Sequence, residues 1–239
     1  MTSIVKRRSY SSEVRAAQAE ATRTAVLVAA RELFTSEGYT CPIARIAHRA
    51  GVAVDTVYTS VGRKPVLVLA VIDMVLGDAD RPLPAEQRDY VQRIRTTAGA
   101  QAKIAIYARA LARLLPVVAP LQEALRDAGR TDPGCADAWA RLEDRRAVNM
   151  LVFARDLRAT GELRDELDNQ HIADLVWSMN GPEYYSLLTH RGWTPQRIGD
   201  HLADVWTRAL IDPAIWMPHT SGHSRSAWPT PPGKCGAAP

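Results

Sequence analysis

The feature that most limits what this chain can fold into is helical periodicity with no competing strand signal. Apolar residues recur at steps of three or four along nearly the whole sequence, and no stretch alternates apolar and polar over six residues. The expectation is an all-α fold. Hydrophobic residues make up 46% of the chain and charged residues 23%, which supports a buried core and argues against disorder of the whole chain.

Gly and Pro cut the pattern into segments. A basic arm over 1–12 leads into a first helix that begins at residue 13 or 22 and is stopped by Gly38. Pro42 suits the first turn of a short helix ending at Ala50, and Gly51 breaks it. Helices follow over 54–60 and 65–77, and Arg81-Pro82-Leu83-Pro84 reads as a linker. Beyond it the punctuation predicts helices over 85–96, 100–115 with Pro116 as the stop, and 121–128 with Gly129 as the stop. Asp132-Pro133 opens a long helix to about residue 160, Asp168 caps one ending near Asn180, and another covers 183–190. Thr194-Pro195 caps the last, which carries Ile198, Leu202, Val205, Trp206 and Leu210 on one face. Residues 213–239 hold six of the fifteen prolines and read as a disordered tail.

The net charge of +4 is unevenly spread. Residues 1–64 carry ten Lys/Arg against five Asp/Glu, a net +5, whereas residues 65–239 net −1. A basic module on a neutral body is the pattern of a polyanion binder. The longest apolar run, residues 66–72, is far short of the roughly 20 residues of a membrane helix, and no apolar stretch follows Lys6, Arg7 and Arg8 as a secretory signal would require. The expectation is a cytoplasmic protein with no membrane partner. Cys41, Cys135 and Cys235 are too few and too scattered for a disulfide framework or a CxxC zinc site, so neither metal nor cofactor is expected.

The informative stretch is residues 42–61. Two short helices around a glycine-containing turn form a helix-turn-helix. Ala47 is small where the helices cross, and Gly51, four residues on, can take the positive φ of a sharp turn. Ile46, Val52 and Val57 fill the angle between the helices, which leaves Val54, Asp55, Tyr58 and Thr59 facing outward. In such motifs the second helix enters the DNA major groove. Val54 can touch a thymine methyl, and Asp55 can accept from a cytosine amino group or simply stabilise the first turn of its helix. Arg45 and Arg49 can add phosphate contacts, and the arm's Lys6, Arg7 and Arg8 can enter a minor groove.

The wider pattern is Ala29-Ala30-Arg31-Glu32-Leu33-Phe34, Gly38-Tyr39, Ile46-Ala47, Ala50-Gly51-Val52, Thr56-Val57-Tyr58, Lys64 and Leu67. Over about residues 22–72 it resembles the N-terminal domain of the tetracycline-repressor (TetR) family of transcriptional regulators. The resemblance implies a homodimer with an N-terminal three-helix DNA-binding domain, and a C-terminal helical bundle that dimerises and holds a small effector. It implies phosphate contacts from Tyr58 and Lys64, a palindromic double-stranded operator, and repression as the commoner mode. The division it suggests is a basic arm over 1–21, flexible or partly helical, a DNA-binding domain over 22–78, an effector and dimerisation domain over 79–212, and the tail. This chain departs from the family pattern in four places. The segment between Tyr39 and Ile46 is one residue short. Pro42 stands where Ser or Thr is common. Ala53 replaces a capping Ser worth ~1 kcal/mol, and Ser60-Val61 replace an aromatic pair.

In the body, Tyr107, Trp139, Met150, Phe153 and Trp177 are candidates to line an effector pocket, with Tyr184 and Tyr185 as further bulk. Arg146 or Asn180 can orient a ligand or pair with a buried carboxylate. The helices near 168–190 and 195–211, carrying Trp177, Leu187, Leu188, Val205 and Trp206, are the expected dimerising pair by analogy with the family. The charge run from Glu143 to Arg146 reads as a solvated face. No HExxH, GxSxG, P-loop or dinucleotide fingerprint is present, and His219 and His223 lie in the proline-rich tail. The alternative to a DNA-binding regulator is therefore an all-helical enzyme with a dispersed site or a protein-interaction module.

Overall fold

In a computed structural model the chain is described over residues 3–216, with side chains from Glu13 to Ile215. Eleven α-helices and no strand appear among the described residues. Helix α1 spans Ser3–Glu37, α2 Ile43–Ala50, α3 Val54–Ser60 and α4 Lys64–Gly77. The body comprises α5 (Asp89–Thr96), α6 (Ala100–Ala128), α7 (Pro133–Arg158), α8 (Asn169–Met179), α9 (Pro182–His190), α10 (Pro195–Leu210) and the short α11 (Pro213–Trp216). The first helix is longer than the punctuation suggested, since nothing in residues 3–12 breaks it. The side chains of Lys6, Arg7 and Arg8 lie outside the described residues, as does the tail from residue 217.

Three helix starts follow their caps as expected. Asp132 Oδ1 accepts from the Gly134 and Cys135 amides at 2.7 and 3.3 Å, Asp168 Oδ1 from His171 at 2.7 Å, and Thr194 Oγ1 from Arg197 at 3.2 Å. At α3 the N-cap Ala53 makes no side-chain bond, as its methyl dictates.

The prolines at 116 and 120 do not stop a helix. Residues 100–128 form one 29-residue helix that runs through both. Each proline removes an amide donor and crowds the carbonyl four residues back, at a cost of about 3 kcal/mol in an isolated helix. Burial outweighs it. Leu111, Leu114, Leu115, Val118, Ala119, Leu121 and Leu125 are all buried, so the apolar stripe continues across both prolines and the helix with it. By length and apolarity α6 passes for a membrane span, but most of it is buried as the central helix of the bundle.

The 85–96 segment, expected as one helix, splits at Arg88 into a 3₁₀ turn (Ala85–Gln87) and α5. Extended backbone at Arg88 turns its guanidinium inward, where it meets Asp73 of α4 at 3.1 Å and the Leu83 carbonyl at 3.2 Å. The buried Lys103 ties α5 to α6 and α7 by donating to the Ile94 carbonyl at 2.6 Å and Asp156 at 3.0 Å. A distant loop caps α6, where Glu162 Oε2 accepts from the Ala100 amide at 2.6 Å. The same loop pairs Leu163 with Ile211 and closes the end of the bundle.

Helix α10 lies unusually close to α6. A Cβ on Gly199 would stand 2.8 Å from Ala112 Cβ and 3.0 Å from the Ala108 carbonyl oxygen. Gly199→Ala should therefore lower stability by about 1–2 kcal/mol, although alanine is the better helix former by about 0.5–1 kcal/mol, because overpacking dominates. A thermal melt checks it. A rise in melting temperature would show that the helices have room to separate. Trp206, grouped by sequence with the dimerising helices, is fully buried within the protomer, since α10 points Ile198, Leu202, Trp206 and Leu210 into its own core.

Among the described residues the apolar interior forms two large cores and a small one around Leu125, Cys135 and Ala138. One large core gathers the middle of α6, α7, α8, α9 and α10. The other gathers α1 to α4 and runs on into Val118, Leu121 and Leu142 of α6 and α7. Helix α4 is thus shared by the N-terminal module and the body.

Candidate nucleic-acid interface and body cavity

The angle between α2 and α3 is built as the residue types require. Ile46, Ala47 and Val57 are fully or nearly fully buried, and Val52 is half-buried. Gly51 closes α2 with φ +69°, its amide bonding the Ala47 and His48 carbonyls. The amide of Val52 also returns to Ala47 O at 3.0 Å, so two successive amides of the turn close the end of α2. With Val57 anchored inward, Val54 and Tyr58 are 38% and 45% exposed, and Asp55 and Thr59 are exposed beside them. Thr59 keeps its hydroxyl on the Asp55 carbonyl at 3.0 Å.

The candidate phosphate-binding cations each have an internal partner. Arg45 pairs with Glu37 at 2.5 Å and Arg49 with Glu32 at 2.6 Å, both on the solvent side of α1. Exposed pairs of this kind contribute about 0–1 kcal/mol, so a phosphate can displace them. Lys64 is half-buried, its ammonium 4.5 Å from the centre of the Tyr39 ring and 6.0 Å from that of Phe34. Burial lowers its pKa. Tyr39 in turn shares a 3.1 Å hydrogen bond with Cys135 Sγ at the start of α7, and burial and that thiol raise its pKa. A Lys64–Tyr39–Cys135 stack therefore ties the N-terminal module to the body beside the shared helix α4. No local sequence signal marked Cys135 for it.

The body holds a partly open cavity of about 200 Å³. Its walls are Leu76 at the end of α4, Tyr90 and Ile94 of α5, Tyr107, Leu111, Leu115 and Gln122 of α6, Met150 and Phe153 of α7, and Asn180. Tyr107 packs between Phe153 and Trp206, with ring centroids 5.0 and 5.7 Å away. Its hydroxyl accepts from Asn180 Nδ2 at 2.8 Å, while Asn180 Oδ1 accepts from Arg146 at 2.5 Å. Arg146 is held by Glu143 at 2.6 Å, and their side chains are only 14% and 20% exposed. The Glu143–Arg146 run is thus not a wholly solvated face: its first and last members turn into the bundle.

Tyr107, Met150 and Phe153 line this cavity, whereas Trp139 and Trp177 do not. Trp139 stands eleven residues before Met150 on α7, about 16 Å along the helix, and packs, as Tyr39 and Leu69 do, against the cluster of Leu125, Cys135 and Ala138. Trp177 lies behind Arg146, whose guanidinium sits 5.5 Å from its ring centre and separates it from the space. Gln122 and Arg88 also line the cavity, and helical periodicity alone did not single them out.

A helix-turn-helix joined through one shared helix to a hollow helical body is an arrangement that solved structures share. A protein assigned to the TetR-family transcriptional regulators, from Rhodococcus sp., superposes with a TM-score of 0.60 at 16% identity, over 80% of this chain and 99% of its own. A protein assigned as a transcriptional regulator, from Saccharomonospora viridis and solved in complex with choline, gives 0.60 at 19%, over 81% and 98%. NalD, the secondary repressor of the MexAB-OprM multidrug efflux pump in Pseudomonas aeruginosa, gives 0.56 at 20%, over 80% and 98%. No family model and no curated protein matches the sequence. The resemblance read from residues 22–72 thus extends to the fold of most of the chain, and these neighbours are regulators rather than enzymes.

Proposed function

We propose that the chain is a homodimeric, sequence-specific DNA-binding transcriptional regulator of the TetR type, a repressor that a small-molecule effector releases from a palindromic operator. The observation that carries this reading is the outer face of α3, where Val54, Asp55, Tyr58 and Thr59 face solvent while Val57 locks the opposite side into the core. Each protomer lays α3 in a major groove, with Val54, Asp55 and Thr59 towards base edges. Tyr58, Arg45, Arg49 and Lys64 meet phosphates and fix the register. The exposed Leu187 of α9 and the half-buried Val205 of α10 are left for the dimer partner, and the two half-sites then lie about 34–36 Å apart on one face of the duplex. The place of action is the cytoplasm.

Helix α4 supplies the coupling. Leu76 lines the cavity at one end of α4, and Lys64 begins the other end about 20 Å away. An effector that binds better to a state with α4 displaced draws the pair of α3 helices off the operator spacing. The choline complex of one neighbour supports reading this fold as ligand-binding.

The test is DNA affinity of the full chain across a salt series. Affinity should fall log-linearly with salt, and Arg45→Ala and Arg49→Ala should each reduce the slope by about one. Glu32→Gln and Glu37→Gln, which free those arginines, should instead raise affinity about two- to threefold at low salt, in line with the ~0.5 kcal/mol of an exposed pair. Absence of DNA binding at every salt concentration would reject the reading.

A further inference from the structure

The chemistry of the cavity narrows what the effector can be, and the argument rests on the effector reading above. Its inner charges are already matched within the protein. Arg88 meets Asp73 at 3.1 Å, a carboxylate it shares with the half-exposed Arg145 at 2.9 Å on the solvent side, while Arg146 meets Glu143 at 2.6 Å and Asp156 meets Lys103 at 3.0 Å. The other two charged lining residues, Glu86 and Arg95, are exposed. An ionic ligand would lose its hydration among Leu76, Ile94, Leu111, Leu115, Met150 and Phe153 and find no unmatched counter-charge beside them, since Glu86 and Arg95 stand on the solvent side. The interior therefore selects against both signs.

Its buried polar side chains are satisfied as well, with one exception. Tyr107 and Asn180 bond each other, and Asn180 also takes the Arg146 guanidinium. Gln122 is 4% exposed and lines the cavity, yet its Oε1 has no hydrogen-bond partner. A buried acceptor left in this state is costly, and the terminal torsion of a glutamine is soft enough to bring the oxygen onto the cavity. The size sets the remaining limit. A cavity of about 150 Å³ holds benzene, so about 200 Å³ suits one ring with a short substituent.

We infer that the effector is a neutral, largely apolar compound of about one substituted ring, carrying a hydroxyl or N–H group that donates to the side-chain oxygen of Gln122. The ring lies among the aliphatic and aromatic walls, and the donor meets the buried acceptor that has no partner. Specificity follows from the asymmetry of hydrogen bonding: a ligand without the donor leaves Gln122 Oε1 unpaired, whereas a ligand with it replaces the bond its donor gave up in water.

The test uses four probes on the full-length dimer: 4-ethylphenol, its isostere 4-ethyltoluene, 4-methylbenzoate and 4-methylbenzylammonium, with affinity read by calorimetry and melting temperature. In the wild type 4-ethylphenol should bind about tenfold more tightly than 4-ethyltoluene, and both ions at least tenfold more weakly than the phenol. Gln122→Leu places an apolar group among apolar neighbours and should fold normally. It should reverse the order, so that 4-ethyltoluene becomes the tighter ligand. Equal binding of the two neutral probes, an unchanged ratio in the leucine variant, or preference for an ion would overturn this inference and leave the regulator reading standing. If the protein binds DNA but none of the four probes alters its melting temperature, the effector role of the cavity falls and this inference with it.

Discussion

Trp206→Ala is expected to remove about 3–5 kcal/mol of stability. The indole is fully buried on α10 and stacks on Tyr107 of α6, with ring centroids 5.7 Å apart and planes within 15°. Its loss opens a void between the two most closely apposed helices of the body, beside the wall of the cavity. Natural domains are stable by about 5–15 kcal/mol, so the alanine variant should be close to unfolding at growth temperature. Trp206→Phe is a useful contrast. Nε1 of Trp206 is buried without a partner, so phenylalanine loses ring area but also removes an unsatisfied donor. Its cost should be about 1–2 kcal/mol. Urea melts of both variants check the difference, and an alanine variant as stable as the wild type would mean that α10 is not seated on α6 through this ring.

The second large effect is expected at Gly51 and falls on DNA binding. Its φ of +69° is a left-handed conformation, and a Cβ built there meets nothing within 4 Å. The cost of substitution is therefore purely one of backbone conformation, about 1–2 kcal/mol for an ordinary residue and more for a β-branched one. Asparagine tolerates the conformation and valine does not. Gly51→Asn should keep operator affinity within about threefold. Gly51→Val should lower it at least tenfold, because relief of the strain rotates α3 away from the face that Val57 fixes, and 1.4 kcal/mol already corresponds to a factor of ten. Equal affinity of the two variants would mean that the turn is not what orients α3.

What could be read from the sequence divides along the range of the interactions. The helix-turn-helix was legible because its determinants are local: a small residue at 47, a glycine at 51, and apolar residues at 46, 52 and 57 whose spacing suffices to place them in one angle. The caps at Asp132, Asp168 and Thr194 were legible for the same reason. The prolines of α6 misled because a local rule assigns them a cost without the compensating burial, which comes from helices far away in sequence. The break at Arg88 has the same origin, since its partner Asp73 is fifteen residues back across a linker.

The cavity shows the same limit more sharply. Trp139, Leu142, Arg146, Met150, Phe153 and Leu157 recur on α7 at steps of three or four, but one such stripe on a 26-residue helix spans nearly 40 Å and faces different neighbours along its length. Trp139 and Met150 share that stripe and serve different cores. Gln122 carried no signal at all, because a polar residue within an apolar run reads as surface until the structure shows it 4% exposed beside an empty space.

The most direct test of the central claim is a selection of double-stranded DNA from a random pool by the purified full chain. A palindrome with two half-sites about one helical turn apart, about 34–36 Å, should be enriched, and that enrichment should be lost in the Gly51→Val protein. A pool that emerges unenriched, or sequences retained equally by the Gly51→Val protein, would contradict it.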